Sequence, residues 1–157
     1  LTETQIQEYM SMFRAMNLSE SQLAILEDAL RHVGAYYYSL TGSAHQNGIN
    51  SDSGPSECSG FVSGVLSRAL GRSFNNASLG RTGITPQPGD IMAHSRGGSG
   101  SNGQSYTGHV VIYAGYMSNG PDGPGEYIID CTSSGSGGSQ LRKCNNCRTK
   151  YPKVYRP

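Results

Sequence analysis

Cys58 stands directly before an apolar stripe, Phe61, Val62, Val65, Leu66, Ala69 and Leu70, which a helix starting at the cysteine gathers on one wide side and Gly71 closes. A thiol in the first turn of a buried helix has unpaired backbone N–H groups and the positive end of the dipole beside it, and both favour the thiolate. That is the setting of a nucleophile. The ordinary alternative is a small buried hydrophobe, the use most lone cysteines have. A cysteine hydrolase also needs an imidazole that takes and returns the proton, and a third group that orients the imidazole. Of the four histidines, His109 ranks first: it opens HVVIYAG, where a polar ring ahead of an apolar strand can face a cleft at the sheet edge. His94, at the margin of a Gly/Ser-rich stretch, ranks second, while His32 falls on a helix and His45 in a polar segment. A hairpin centred on Asn119-Gly120 would set residues whose numbers sum to about 239 opposite each other, which pairs His109 with Asp130. The ordinary roles here are a strand-capping His109 and a strand-end Asp130.

These residues must be positioned by a small set of elements. Ile6, Tyr9, Met10, Phe13 and Met16 recur at helical spacing after Thr2 or Thr4, either of which can cap. Ser19 with Gln22 forms a capping-box pattern ahead of Leu23, Leu26, Leu30 and Val33, and this second helix stops at Gly34. Residues 39–56 are polar and without a sustained period, so they read as a loop leading into the cysteine. After the Cys58 helix come a short strand at 90–93, a Ser/Gly-rich loop to Gly108, strands at 109–116 and 127–131 joined by SNGPDGPG, and a last short strand at Val154 and Tyr155. Helices followed by antiparallel strands predict a single α+β domain over residues 1–157, with the nucleophile helix on a small antiparallel sheet and the helix of residues 1–18 packed on the same core.

The residues ECSGFV, QPGDIM and HVVIYAG resemble, in order and spacing, the pattern of the NlpC-type cell-wall peptidases, which are papain-like cysteine enzymes. The resemblance runs over about residues 30–130. It implies a papain-like fold and hydrolysis of an amide in the stem peptide of peptidoglycan, typically between D-glutamate and the diamino acid at the third position. It also implies that Cys58 attacks the carbonyl, that His109 is base and then acid, and that Asp130 stands where the family's third polar residue, often His, orients the imidazole. Gly34-Ala35-Tyr36-Tyr37 looks like the family's Gly-x-Pro-Tyr element, which places Tyr37 at the site. In some members the acid before the cysteine, the serine after it and the tyrosine hold the amine of a free L-alanine, roles that fall here to Glu57, Ser59 and Tyr37. The chain departs from the pattern at Glu57, where Asp is usual, and at Val111, where Gly is usual. The alternatives are an amidase or cross-bridge peptidase of the same Cys-His type, and a catalytically silent domain that binds wall peptide.

Composition narrows the partners. Charged residues are 15% of the chain, against about 25% in an average soluble protein, and the net charge is +1, so no electrostatic footprint for nucleic acid is present. No stretch approaches the roughly 20 apolar residues of a membrane span. The chain starts at Leu1 without an initiator Met or a hydrophobic signal core, and reads as a processed piece of a larger parent. Cys144-Asn145-Asn146-Cys147 has three readings: a local disulfide, half a zinc site or a redox pair. The disulfide is favoured, because only Cys131 offers itself as a further ligand and RTKYPK is not an apolar helix. A disulfide fits an extracytoplasmic setting. Cys131, beside Asp130, is expected as a free thiol near the site. No cofactor and no metal are expected, the partner is the stem peptide, and the chain is expected to act as a monomer.

Overall fold

Each N-terminal helix begins where its sequence supplies a reciprocal cap. In the computed structural model, which describes residues 1–73, 84–99 and 105–157, Thr2 and Gln5 form a capping box at the start of α1 (Glu3–Arg14), and Ser19 and Gln22 form one at α2 (Glu20–Arg31). The chain continues through β1 (Tyr36–Tyr38), α3 (Ala44–Asn50), β2 (Gly54–Ser56), α4 (Cys58–Leu70), β3 (Ile91–Ser99), β4 (Ser105–Met117), β5 (Gly125–Thr132), β6 (Gly138–Lys143), α5 (Cys147–Lys150) and β7 (Lys153–Tyr155). The fold is α+β. No helix among the described residues is long and apolar enough to cross a membrane.

A five-stranded sheet of order β6-β5-β4-β3-β7, antiparallel throughout, carries the core on both faces. One face meets the helices: Phe13 of α1, Ile25 and Leu26 of α2 and Phe61 and Val62 of α4 are fully buried in one cluster with Ile91, Val110, Ile112 and Ile129. The other face carries Met92, Val111, Tyr113 and Ile128 under Tyr151, Val154 and the bonded pair Cys144–Cys147. Burial on both faces is why HVVIYAG reads as a continuous apolar run rather than an alternating one.

Three stretches differ from the sequence expectation. Residues 39–56, expected as a loop, contain α3 and β2, and β2 pairs in parallel with β1. A Cβ on Gly48 would collide with the Gly60 backbone, and one on Gly64 with the Gly48 carbonyl. Glycine against glycine therefore replaces the apolar stripe that periodicity would have detected. β3 and β4 run into the stretch expected as a loop between His94 and Gly108, of which residues 100–104 lie outside the described residues. The Gly-rich stretch after Cys131, for which the sequence predicts no element, leads into β6, which pairs along β5 from Tyr127↔Lys143 to Thr132↔Gly138.

Because the α3–α4 contact is backbone on backbone, Gly64→Ala is expected to destabilise the protein. Overpacking against a carbonyl that cannot rotate away costs about 1–3 kcal/mol and outweighs the gain of about 1 kcal/mol in helix propensity. The midpoint of denaturant unfolding checks the sign, and a stabilised variant contradicts the contact.

Candidate active site

Cys58 is the first residue of α4, and Glu57, in extended conformation, caps that helix by accepting a hydrogen bond from the Gly60 N–H. The thiol is free and half-buried. On the neighbouring ladder His94 pairs with His109 and Ser95 with Thr107, so Gly108 is an extra residue bulged out of β4 immediately before His109. A bulge at this place re-aims the side chain that follows it. His109 Nε2 lies 2.6 Å from Asp130 Oδ2, with the carboxylate fully buried and the imidazole 14% exposed. The Cys58 side chain stands near the same ring and favours its protonated form. With Nε2 given to Asp130, Nδ1 is the nitrogen left for sulfur.

The strand register is not the expected one. Ile112 pairs with Ile129, two residues off, because the connection between Met117 and Gly125 is centred past Asn119-Gly120 and a bulge follows Tyr113. Tyr127 OH donates to Gly123 O and accepts from the Asp122 N–H, which clasps that longer turn. A slip of two keeps every side chain on its own face. His109 and Asp130 are accordingly diagonal neighbours rather than direct partners, a spacing still within reach of an imidazole and a carboxylate.

Asp130 has a second partner that sequence reasoning missed. Arg142 of β6 donates from Nε to Oδ1 at 2.9 Å and from Nη2 to Oδ2 at 2.8 Å. Burial by itself would push the Asp130 carboxyl up, but hydrogen bonds from His109 and Arg142 outweigh it and hold the group below its usual range. Burial likewise disfavours the His109 cation, yet the hydrogen bonds with Asp130 and with Cys58 raise the ring to about 9. Cys131 is pushed up to about 12, first by burial and then by the charge of Asp130, so this thiol stays neutral. Tyr151 braces the group: it lies near Arg142, and its ring is 5.5 Å from that of His94 and 6.0 Å from that of His109.

The residues expected to bind substrate divide. Glu57 and Ser59 sit together, Ser59 Oγ donating to Glu57 Oε2 at 2.7 Å, and His45 Nδ1 of α3 lies 2.7 Å from Glu57 Oε1 and 3.0 Å from Ser59 Oγ. Tyr37 is 62% exposed on β1. The next residue, Tyr38, packs against the core, and its hydroxyl is raised first by burial and then by the charges of Cys58 and Glu57. Strand alternation turns Tyr36 and Tyr38 inward together, so the structure brings Tyr38 rather than Tyr37 to the thiol. His94 lies opposite His109 in the ladder, while His32 is engaged by Asp28 and Asp52 on another part of the molecule. Among the described residues no cluster of three or more His, Cys, Asp or Glu side chains is arranged to hold a metal. QPGDIM is a structural corner: Asp90, fully buried, accepts from the Gln87 N–H at 2.7 Å and from Arg156 at 2.8 and 3.0 Å, and the Gly89 backbone at φ +90° abuts Gln22.

Comparison with family models, with curated proteins and with solved structures returns no match to the chain. The chemistry of the site therefore rests on its geometry. A half-buried thiol at a helix start, near an imidazole that a buried carboxylate orients, can perform nucleophilic attack followed by proton return.

His109 raised to about 9 keeps its proton through neutral pH, and its contribution to stability is fully present below about 6.5 and lost as the pH rises through about 9. Titration of its ring by NMR is expected to show a midpoint near 9 in the native protein, and Asp130→Asn is expected to bring that midpoint down toward the ordinary value of about 6.5. A native midpoint already at the ordinary value contradicts the coupling.

Proposed function

We propose that this protein is a papain-like cysteine peptidase that cleaves the stem peptide of peptidoglycan between D-glutamate and the diamino acid at the third position. The observation that carries the reading is the row Cys58, His109 and Asp130, with the imidazole 2.6 Å from a buried carboxylate and near a thiol at the start of a helix. The resemblance of ECSGFV, QPGDIM and HVVIYAG to the NlpC-type pattern supplies the substrate class.

In this reading the Cys58 sulfur attacks the carbonyl carbon of the scissile amide. The first-turn N–H of Cys58 receives the developing oxyanion, since that of Gly60 is already given to Glu57. The imidazolium of His109 passes its proton to the leaving nitrogen as the C–N bond breaks, leaving a thioester on Cys58 and a free amine. Water then gives a proton to His109 and its oxygen to the carbonyl, the C–S bond breaks, and sulfur and imidazole regain their starting state. Asp130 holds the ring and its cation throughout, without taking the proton itself. Glu57, Ser59 and Tyr38 would hold the amine of the N-terminal L-alanine on the acyl side. His45 shares the Glu57 carboxylate there, a contact the resemblance does not supply. The Cys144–Cys147 disulfide is compatible with work outside the cytoplasm, where such bonds persist.

Mass spectrometry of muropeptides after incubation of purified peptidoglycan is expected to show new fragments ending in D-glutamate with the native protein and none with Cys58→Ala. Cys58-dependent fragments with other ends would move the scissile bond, and the absence of fragments from every wall type would overturn the proposal.

A further inference from the structure

The Glu57 carboxylate stands where it works against the thiol beside it. As the N-cap of α4 it lies over the first helical turn and accepts the Gly60 N–H, and that turn begins with Cys58. Tyr38 of β1 and Cys131 of β5 both feel the charges of Glu57 and of Cys58, so the two groups share one neighbourhood. A carboxylate in such a place disfavours a thiolate, as any like charge does. The dipole of α4 acts the other way, and a bare acid at the helix start cancels part of that help.

His45 meets this carboxylate from α3. An ionised carboxylate only accepts hydrogen bonds, so His45 Nδ1 carries the hydrogen that spans the 2.7 Å to Glu57 Oε1, and the same nitrogen lies 3.0 Å from Ser59 Oγ. Oε1 is thereby shared by the Gly60 N–H and the imidazole, while Oε2 takes the Ser59 hydroxyl at 2.7 Å. The approach is built into the backbone. A Cβ on Gly60 would stand 2.7 Å from Glu57 Oε1 and 2.8 Å from the His45 carbonyl, so only glycine lets the carboxylate and α3 both close on that turn. The Glu57 side chain is 18% exposed and that of His45 43%, which leaves the ring open to water for protonation at Nε2. In that form the ring and the carboxylate make an ion pair that presents no net charge to Cys58.

We infer that His45 is a positioning residue for the nucleophile: it holds the Glu57 carboxylate in its capping place and offsets the negative charge that this cap sets beside Cys58. His45 touches no reacting atom in this role and acts through Glu57. The ordinary alternative is a surface ion pair that ties α3 to α4, contributes little and leaves the sulfur unaffected. The inference rests on the reading of Cys58 as the nucleophile and is independent of the substrate.

The test compares alkylation of Cys58 at pH 6 by iodoacetate, an anion, and by iodoacetamide, which is neutral, with peptide mapping to separate Cys58 from Cys131. The ratio of the iodoacetate rate to the iodoacetamide rate is expected to fall at least about threefold in His45→Ala, because the anionic reagent then meets an uncompensated carboxylate. His45→Gln, which retains a hydrogen-bond donor without the charge, is expected to lower the ratio as well, and His45→Lys to keep it near the native value. The drop is expected to shrink in about 1 M salt, where charges are screened beyond about 3 Å, and to vanish in a Glu57→Gln background. A merely structural loss slows both reagents alike. An unchanged ratio in His45→Ala and His45→Gln, or a drop that is equal in high salt and in the Glu57→Gln background, overturns the inference. If native Cys58 reacts no faster than Cys131, the nucleophile reading fails by itself, and the change of ratio at Cys58 on losing His45 still decides the charge inference.

Discussion

The carboxylate of Asp130 is a fully buried charge, and the surrounding structure answers to it. Left alone in a protein interior such a charge costs several kcal/mol, and it becomes tolerable only when its oxygens are filled by donors of opposite charge. Here the donors come from both neighbouring strands, His109 on β4 and Arg142 on β6. Three strands are thus fastened at the depth where the imidazole must stand, and Tyr151 supports Arg142 from the turn after α5. The disulfide closes the same corner, since it joins the end of β6 to α5. The proposed mechanism needs this kind of stiffness at the imidazole, because a small misplacement of the reacting atoms is costly in rate.

The sulfur arrives by a different route. α4 lies on the opposite face of the sheet, with Phe61, Val62 and Val65 in the helix-side core, and presents its first residue to the ring that the Gly108 bulge has re-aimed. Glu57 holds the helix start, and the glycine contact with α3 brings His45 to Glu57. The two free thiols are thereby made unlike. Cys131 is fully buried beside Asp130 and stays protonated, while Cys58 is half-exposed against an imidazolium.

Much of this was legible because it is written in periodicity. The stripe after Cys58, the apolar run after His109 and the two capping boxes each correspond to an element with the expected type. The proximity of His109 and Asp130 was readable through parity alone: the register was two residues off, and a shift of two leaves faces unchanged. What remained hidden lacks a periodic signature. α3 docks through glycine, β6 has in Gly138–Lys143 a single large apolar residue, Leu141, and the choice between Tyr37 and Tyr38 depends on how β1 pairs with β2. Arg142 had one indirect signal, namely that a buried aspartate demands a cation.

The proposed function requires Cys58 to be a nucleophile made ready by His109. Its most direct test is the rate of alkylation by iodoacetamide at pH 7, resolved by peptide mass mapping, in the native protein and in His109→Ala. Native Cys58 is predicted to react much faster than Cys131, and to lose that advantage when the imidazole is removed. Equal slow rates for the two thiols, or a Cys58 rate indifferent to His109, would contradict the account.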